Sequence, residues 1–337
     1  MNYSINFVVH MHALQQCLAR FGGRASFSED LGKLEVRARG RSVQLHAQFG
    51  HEKDNSFAYS QLLTAQSEAF VGWRPYVNRV WPLSVDKRAF KEFCTANGLP
   101  TPRRFLRAEE VSADVLVKRS MSSFGQGITG PFTPATVKST GRALANGEFF
   151  EEFIDGESVK IWYWNDEPVC LEKLPLPRVE GDGRRTLRQL INRAKFPGAP
   201  AEWSIWEIIA AWQGLTLDSV VAAGRKVLVE FRYRSSLHPF GFENLNCLSS
   251  YAGTPAMSLL REAGRAFGKQ IPESIRQNTL YTADAMADAS GAFHFLELNC
   301  NPVAHPDTYL PMFTSLFGEV AATRDLEPPT LKIAAAG

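Results

Sequence analysis

The apolar and polar positions divide the chain into short strands and short helices. From Lys33 to Phe49, Leu34, Val36 and Ala38 alternate with polar neighbours, and Val43, Leu45, Ala47 and Phe49 resume the pattern. This predicts a hairpin turning at Gly40. A helical stretch is expected near Phe57–Phe70. Another helix is predicted after Ser84 as N-cap: Ala89, Phe90, Phe93 and Cys94 recur at helical spacing, Asn97-Gly98 gives a left-handed end, and Pro100 and Pro102 prevent continuation. Val115–Lys118 is a short β run that stops at a loop of small residues, Ser120–Gly127. Further strands are predicted at Gly147–Ile154, at Val159–Trp164 continuing towards Leu171, and at Lys226–Arg234, where Val227, Val229, Phe231 and Tyr233 share one face. Thr186, with Gln189 three residues on, forms a capping box for a helix reaching about Arg193. Ser258–Gly268 reads as helix, and Leu280–Met286 and Phe293–Asn299 as strands joined at Ser290-Gly291. Hairpin-length links dominate, so the sheets should be antiparallel and the fold class α+β.

Composition narrows this picture. The chain has 337 residues, 45% of them hydrophobic, which is about two domains' worth at roughly 150 residues each and excludes low-complexity disorder. With 37 Lys+Arg against 35 Asp+Glu, the net charge of +2 lacks the basic excess of a nucleic-acid binder. No apolar run approaches the roughly 18 residues of a membrane span, and the N-terminus has no signal-peptide pattern. The five cysteines are scattered and odd in number, the usage expected of reduced thiols in the cytoplasm.

Several positions could carry chemistry. Strand periodicity puts Phe295, Glu297 and Asn299 on one face, and Asp284 lies on the strand expected to pair with theirs. Their oxygens could hold Mg²⁺ beside phosphates, or could be ordinary polar groups where a strand leaves the core. Lys118 ends an apolar strand beside the small-residue loop, which suits phosphate binding but equally a solvated hairpin. Lys87 sits in the first turn of a helix, where a cation opposes the macrodipole, either facing an anionic partner or sharing a solvated basic face with Arg88 and Lys91. Glu151 ends a strand and could accept from an adenine amino group, or lie at the surface. Arg232 and Arg234 share a strand face suited to a carboxylate or acyl phosphate, or to cross-strand pairing with acids. His305 is the one histidine near this group.

Taken in order, DKRAFKEFCTANGLPTP (86–102), VLVKRSMSSFGQG (115–127), FFEEFIDGESVKI (149–161), VEGDGRRTLRQLI (179–191) and FLELNCNP (295–302) resemble the ATP-grasp superfamily, most of all carboxylate–amine ligases of the D-alanine–D-alanine ligase and cyanophycin synthetase kind. The resemblance spans about residues 84–312. It implies a small mixed N-terminal domain (1–83), a central lobe (84–160) and a C-terminal lobe with the Mg²⁺ site (161–330), with ATP between the lobes. Lys87 and Lys118 resemble the lysines that reach the phosphates. Ser122, Ser123, Gly125 and Gly127 resemble the loop that closes over them, and Glu151 and Ile154 the hinge that pairs with adenine. Asp284, Glu297 and Asn299 resemble the ligands of Mg²⁺, with Mn²⁺ as an alternative ion. Relatives often carry an acidic ribose-binding residue at the position of Ser158, so either the adjacent Glu157 makes that contact or the ribose is bound differently. Their oxyanion-stabilising arginine is replaced by Thr282, which leaves the role to Arg232 or Arg234. The implied reaction joins a small-molecule carboxylate to an amine, an amino acid or peptide, through an acyl phosphate, with release of ADP and phosphate. A kinase transferring the γ-phosphoryl group, or a non-catalytic ATP-binding module, would use the same residues. No nucleic acid or membrane partner is implied, and the N-terminal hairpin offers an edge for a homodimer.

Overall fold

The computed structural model describes residues 2–28, 32–53, 56–121, 127–197, 201–232, 237 and 246–319. The chain opens with α1 (Asn2–Arg20), followed by β1 (Arg24–Phe27), β2 (Lys33–Ala38), β3 (Arg41–Lys53), β4 (Ser56–Ser60) and β5 (Ala69–Arg74), all paired antiparallel in one sheet. The β2–β3 hairpin turns at Arg39 and Gly40, both at positive φ (52° and 75°), the backbone that a tight two-residue hairpin demands. The expected helix near 57–70 is instead the β4–β5 pair. β3 is long enough to offer hydrogen-bonding edges to both, Gly50 lying opposite Tyr59 on one side and Ala69 on the other. Ladder pairing there outweighs local periodicity. Helix α1 carries a buried stripe of His10, Leu14 and Cys17, spaced as one helical face and continued by Phe21 just beyond the helix, that packs against this sheet.

The second part comprises α2 (Lys87–Ala96), β6 (Arg104–Phe105), β7 (Val115–Arg119), β8 (Thr129–Phe132), α3 (Pro134–Thr140) and β9 (Glu148–Glu152), with strand order β6-β9-β7-β8. The N-cap of α2 is Asp86 rather than Ser84. Its carboxylate accepts from Arg88 N at 2.8 Å and Ala89 N at 3.4 Å, whereas the Ser84 hydroxyl donates to Trp81 O within a short 3-10 turn. The helix ends at Asn97, and Gly98 takes positive φ, as expected.

The remaining elements are β10 (Glu157–Trp164), β11 (Glu167–Pro175), β12 (Arg178–Glu180), α4 (Leu187–Ala194), α5 (Trp203–Trp212), β13 (Lys226–Leu228), α6 (Pro255–Gln270), α7 (Glu273–Arg276), β14 (Leu280–Ala287), β15 (Phe293–Asn299) and α8 (Tyr309–Phe317). The architecture is α+β. β11-β10-β14-β15 form an antiparallel sheet, with β10 running uninterrupted through residue 160, and β12 pairs β13. The Thr186–Gln189 capping box opens α4. The strand expected over 226–234 ends at Leu228. Beyond it the fully buried Glu230 carboxylate accepts from the Phe231 and Arg232 N–H groups, so these amides join no ladder.

One face of the four-stranded C-terminal sheet builds a core: Val159, Ile161 and Tyr163 of β10 with Ala283 and Ala285 of β14 pack on Phe90 and Cys94 of α2 and Leu260 and Phe267 of α6. Alternation therefore turns Ser158, Lys160 and Trp162 of β10, and Asp284 and Met286 of β14, to the opposite face. That face is one wall of a cavity.

Candidate active site

A cavity of about 360 Å³ lies between this sheet and the β6-β9-β7-β8 sheet. Leu116, Ile128, Phe153, Ile154, Phe231, Met286 and Leu296 give it apolar walls, and Lys87, Lys118, Lys160, Arg232, Asp284, Glu297 and Asn299 place charge and amide groups on its lining. Tyr59 of the N-terminal sheet, together with Trp162 and residues 300–303, also lines it.

A β-bulge sets the acidic side. Asp284 pairs with Glu297, but its neighbour Ala285 pairs with Phe295, so Leu296 is an extra residue on β15. Phe295 is consequently buried in the core while Leu296, Glu297 and Asn299 line the cavity. The expectation that Phe295 shares a face with Glu297 and Asn299 is corrected by this bulge, a device that re-aims side chains beside sites. Across the ladder Asn299 Nδ2 donates to Asp284 Oδ2 at 2.9 Å. Each carboxylate also meets an ammonium group: Lys160 Nζ lies 2.7 Å from Asp284 Oδ1, and Lys87 Nζ 2.8 Å from Glu297 Oε2. Among the described residues no group of three or more His, Cys, Asp or Glu could hold a metal ion. The donors here are two carboxylates and a carboxamide, a hard oxygen set that fits Mg²⁺ when other oxygens complete its shell.

The basic side is a buried chain of charges. Lys118 is 6% exposed, Glu151 2% and Lys91 3%. Glu151 Oε1 pairs with Lys118, and Oε2 lies 2.5 Å from Lys91 Nζ. Burial alone would raise the Glu151 pKa, but Lys118 and Lys91 hold it below the usual carboxylate range. Burial also pushes the Lys91 ammonium down, against the attraction of Glu151. Lys91 is thus part of the interior rather than of a solvated basic face. Arg232 is held by both oxygens of Glu230, with Nη2 at 2.7 Å from Oε2, and by Glu202 at 2.7 Å. Burial opposes its charge, and the two acids raise its pKa well above the usual value.

The fold brings Lys87, Lys118, Glu151, Ile154, Arg232, Asp284, Glu297 and Asn299 to one cavity. Two of the residues expected there stand elsewhere. Glu157 is ion-paired with Lys173 and is absent from the lining, where Ser158 and Glu152 stand instead. Gly127 lies against the Arg119 side chain, also outside the lining. Ser122, Ser123, Gly125 and Arg234 lie outside the described residues. His305 is buried behind the wall, its ring against Trp162, with Nδ1 accepting from Asp307 N. Lys160 was not singled out from sequence. The available signal is alternation, which puts it on the face opposite Val159 and Ile161; the fold adds its register with Asp284.

No protein-family model matches the chain, and no curated protein matches it by sequence. Among solved structures it is similar to a bifunctional glutathione synthetase from Pasteurella multocida (14% identity, 90% of this chain and 43% of that chain, TM-score 0.42). It is also similar to the ATP-grasp ligase PsnB complexed with minimal precursor (13% identity, 69% and 61%, TM-score 0.36) and to the D-alanine–D-alanine ligase from Bacillus anthracis (10% identity, 70% and 64%, TM-score 0.34). The chain spans less than two thirds of the length of each of the three. No helix of the described residues is long and apolar enough to cross a membrane.

Proposed function

We propose that the chain is an ATP-grasp ligase that binds Mg·ATP in this cavity and joins a carboxylate to an amine through an acyl phosphate, releasing ADP and phosphate. The two lobes are the β6–β9 sheet and the β10–β15 sheet, and the first 83 residues shape the acceptor end. The observation that carries the proposal is the convergence, in one apolar-walled cavity, of Lys87, Lys118 and Lys160 with Asp284, Glu297 and Asn299. Cations interleaved with hard oxygens match what a triphosphate needs at its transferring end.

Each part then has a task. Leu116, Ile128, Phe153, Met286 and Leu296 enclose the adenine, with the Ile154 backbone at its edge and Ser158 nearest the ribose. Lys118, oriented by Glu151, and Lys87 meet the phosphates. Asp284, Glu297 and Asn299 would hold Mg²⁺, which when bound neutralises charge on the phosphate oxygens and acts as a Lewis acid. Lys87 and Lys160, paired with those acids here, turn to the phosphates once the carboxylates are otherwise engaged. Arg232, fixed by Glu230 and Glu202, faces the same space and steadies the oxyanion that develops at the attacked acyl carbon. The walls exclude water and so protect the acyl phosphate from hydrolysis.

The test is incubation of the protein with Mg·ATP and pools of carboxylic acids with amino acids, reading ADP, free phosphate and product mass. ADP and phosphate in equal amounts with a new amide support the ligase. A phosphorylated product without free phosphate makes it a kinase, and no turnover, or turnover unchanged in Glu297→Ala, removes the proposal.

A further inference from the structure

Lys91 is a buried cation with no place in the chemistry above. It stands on α2 four residues after Lys87, on the same helix face, yet only Lys87 lines the cavity. Its Nζ donates to Thr101 Oγ1 at 3.2 Å and lies 2.5 Å from Glu151 Oε2. Thr101 in turn donates to Phe295 O at 2.8 Å, so Lys91 is fixed from two sides. Glu151 already has a cation on its other oxygen, Lys118. Burying a second ammonium group carries a desolvation penalty that a single shared carboxylate repays poorly. A neutral side chain would fill the same place more cheaply if packing were its whole purpose.

The charge count gives the reason. Lys118 and Glu151 alone form a neutral, desolvated pair, and the carboxylate would cancel most of what Lys118 presents to the cavity. With Lys91 on the far oxygen the cluster carries one net positive charge; of its members Lys118 and Glu151 reach the lining, and Lys118 presents the surplus there. We propose that Lys91 is a positioning residue for the phosphate end of the cavity: by balancing Glu151 from behind, it keeps the charge and direction of Lys118 available to an anionic phosphate group. This rests on the nucleotide site proposed above and adds a residue that touches no ligand.

The test is the affinity for ADP with magnesium, and for adenosine, measured by calorimetry on the full chain and on Lys91→Met, Lys91→Arg, Lys118→Met and the double variant Lys91→Met/Glu151→Gln. Lys91→Met should weaken ADP by about tenfold, within the usual span of coupling between sites, and leave adenosine, which has no phosphate, unchanged. Lys91→Arg should stay within about threefold of the wild type, and the double variant, which restores the net charge and buries no unpaired carboxylate, should recover at least about threefold of the ADP affinity lost in Lys91→Met. A merely structural lysine predicts equal losses for ADP and adenosine and a double variant no better than Lys91→Met. Either result overturns the proposal. If Lys91→Met does not fold, Lys91→Gln, equally neutral, takes its place in each comparison, and ADP affinity equal to the wild type there sinks the idea. Should the wild type bind no ADP, or Lys118→Met bind it normally, the nucleotide site itself fails. If Lys118→Met is weakened while Lys91→Met behaves as wild type, the site stands and the role of Lys91 falls.

Discussion

His10 should make the N-terminal part of the molecule acid-labile. It is fully buried on α1, its Nδ1 2.8 Å from the Tyr309 hydroxyl and its ring edge-on to Phe70. Burial, then the nearby His305 and Arg74, lower its pKa from 6.5 to about 3. Because the folded value lies below the unfolded one, the unfolded chain takes up the proton first as pH falls. The neutral ring's contribution is therefore complete above about pH 7 and is eroded from about pH 6.5 downwards. At 1.36 kcal/mol per unit, acidification from pH 7 to pH 5 should cost about 2 kcal/mol through this one residue. The same ring buttresses the wall of the cavity: Tyr309 accepts from Trp73 N, Ala304 N donates to Val71 O, and Arg74 donates to the carbonyl of Pro302, which lines the site. Urea unfolding at both pH values, on the wild type and His10→Gln, isolates the effect from the carboxylates. The variant should lose about 2 kcal/mol less than the wild type between the two pH values, whatever its stability at pH 7. Equal pH dependence in the two proteins would refute the linkage.

Three further outcomes follow from particular contacts. Gly156 begins the approach to β10 where a Cβ would lie 2.0 Å from the Ala287 carbonyl oxygen, so Gly156→Ala should cost about 1–3 kcal/mol in denaturant unfolding and shift the β9–β10 link. Lys160→Met removes the ammonium group 2.7 Å from Asp284, and nucleotide-free Mn²⁺ binding, read by electron paramagnetic resonance, should tighten by about fivefold while turnover of ATP falls. Glu230→Gln deprives Arg232 of a bidentate partner in the interior, with an expected loss of about 3 kcal/mol in thermal unfolding and a weakened response to the acid substrate.

Local chemistry made much of the fold legible. The Arg39–Gly40 turn, the Thr186 capping box, the end of α2 at Asn97-Gly98 and the β14–β15 pair each follow from short-range rules that the tertiary structure leaves in force. What escaped depends on partners distant in sequence. Strands β4 and β5 exist because β3 supplies their ladders, and the stripe on α1 was obscured by His10, a polar residue that only burial against Tyr309 explains. Alternation placed Glu297 and Asn299 on a common face but could not foresee the extra residue Leu296 that turns Phe295 into the core. The candidate site was read in the same way. Lys87, Lys118, Glu297 and Asn299 stand out as polar groups near the ends of helices or strands and Asp284 as an acid on the strand paired with theirs, whereas Lys91 and Glu230 are buried ion-pair partners whose role is visible only once the chain is folded.

The central claim is that ATP activates a carboxylate in this cavity, and the fate of one carboxylate oxygen tests it most directly. With acid substrates labelled in the carboxylate by heavy oxygen, formation of an acyl phosphate and its capture by an amine transfer one labelled oxygen to the released phosphate. Mass spectrometry of that phosphate should show the label, and Glu297→Ala should abolish it. Unlabelled phosphate from a protein that turns over ATP and forms product would contradict the account.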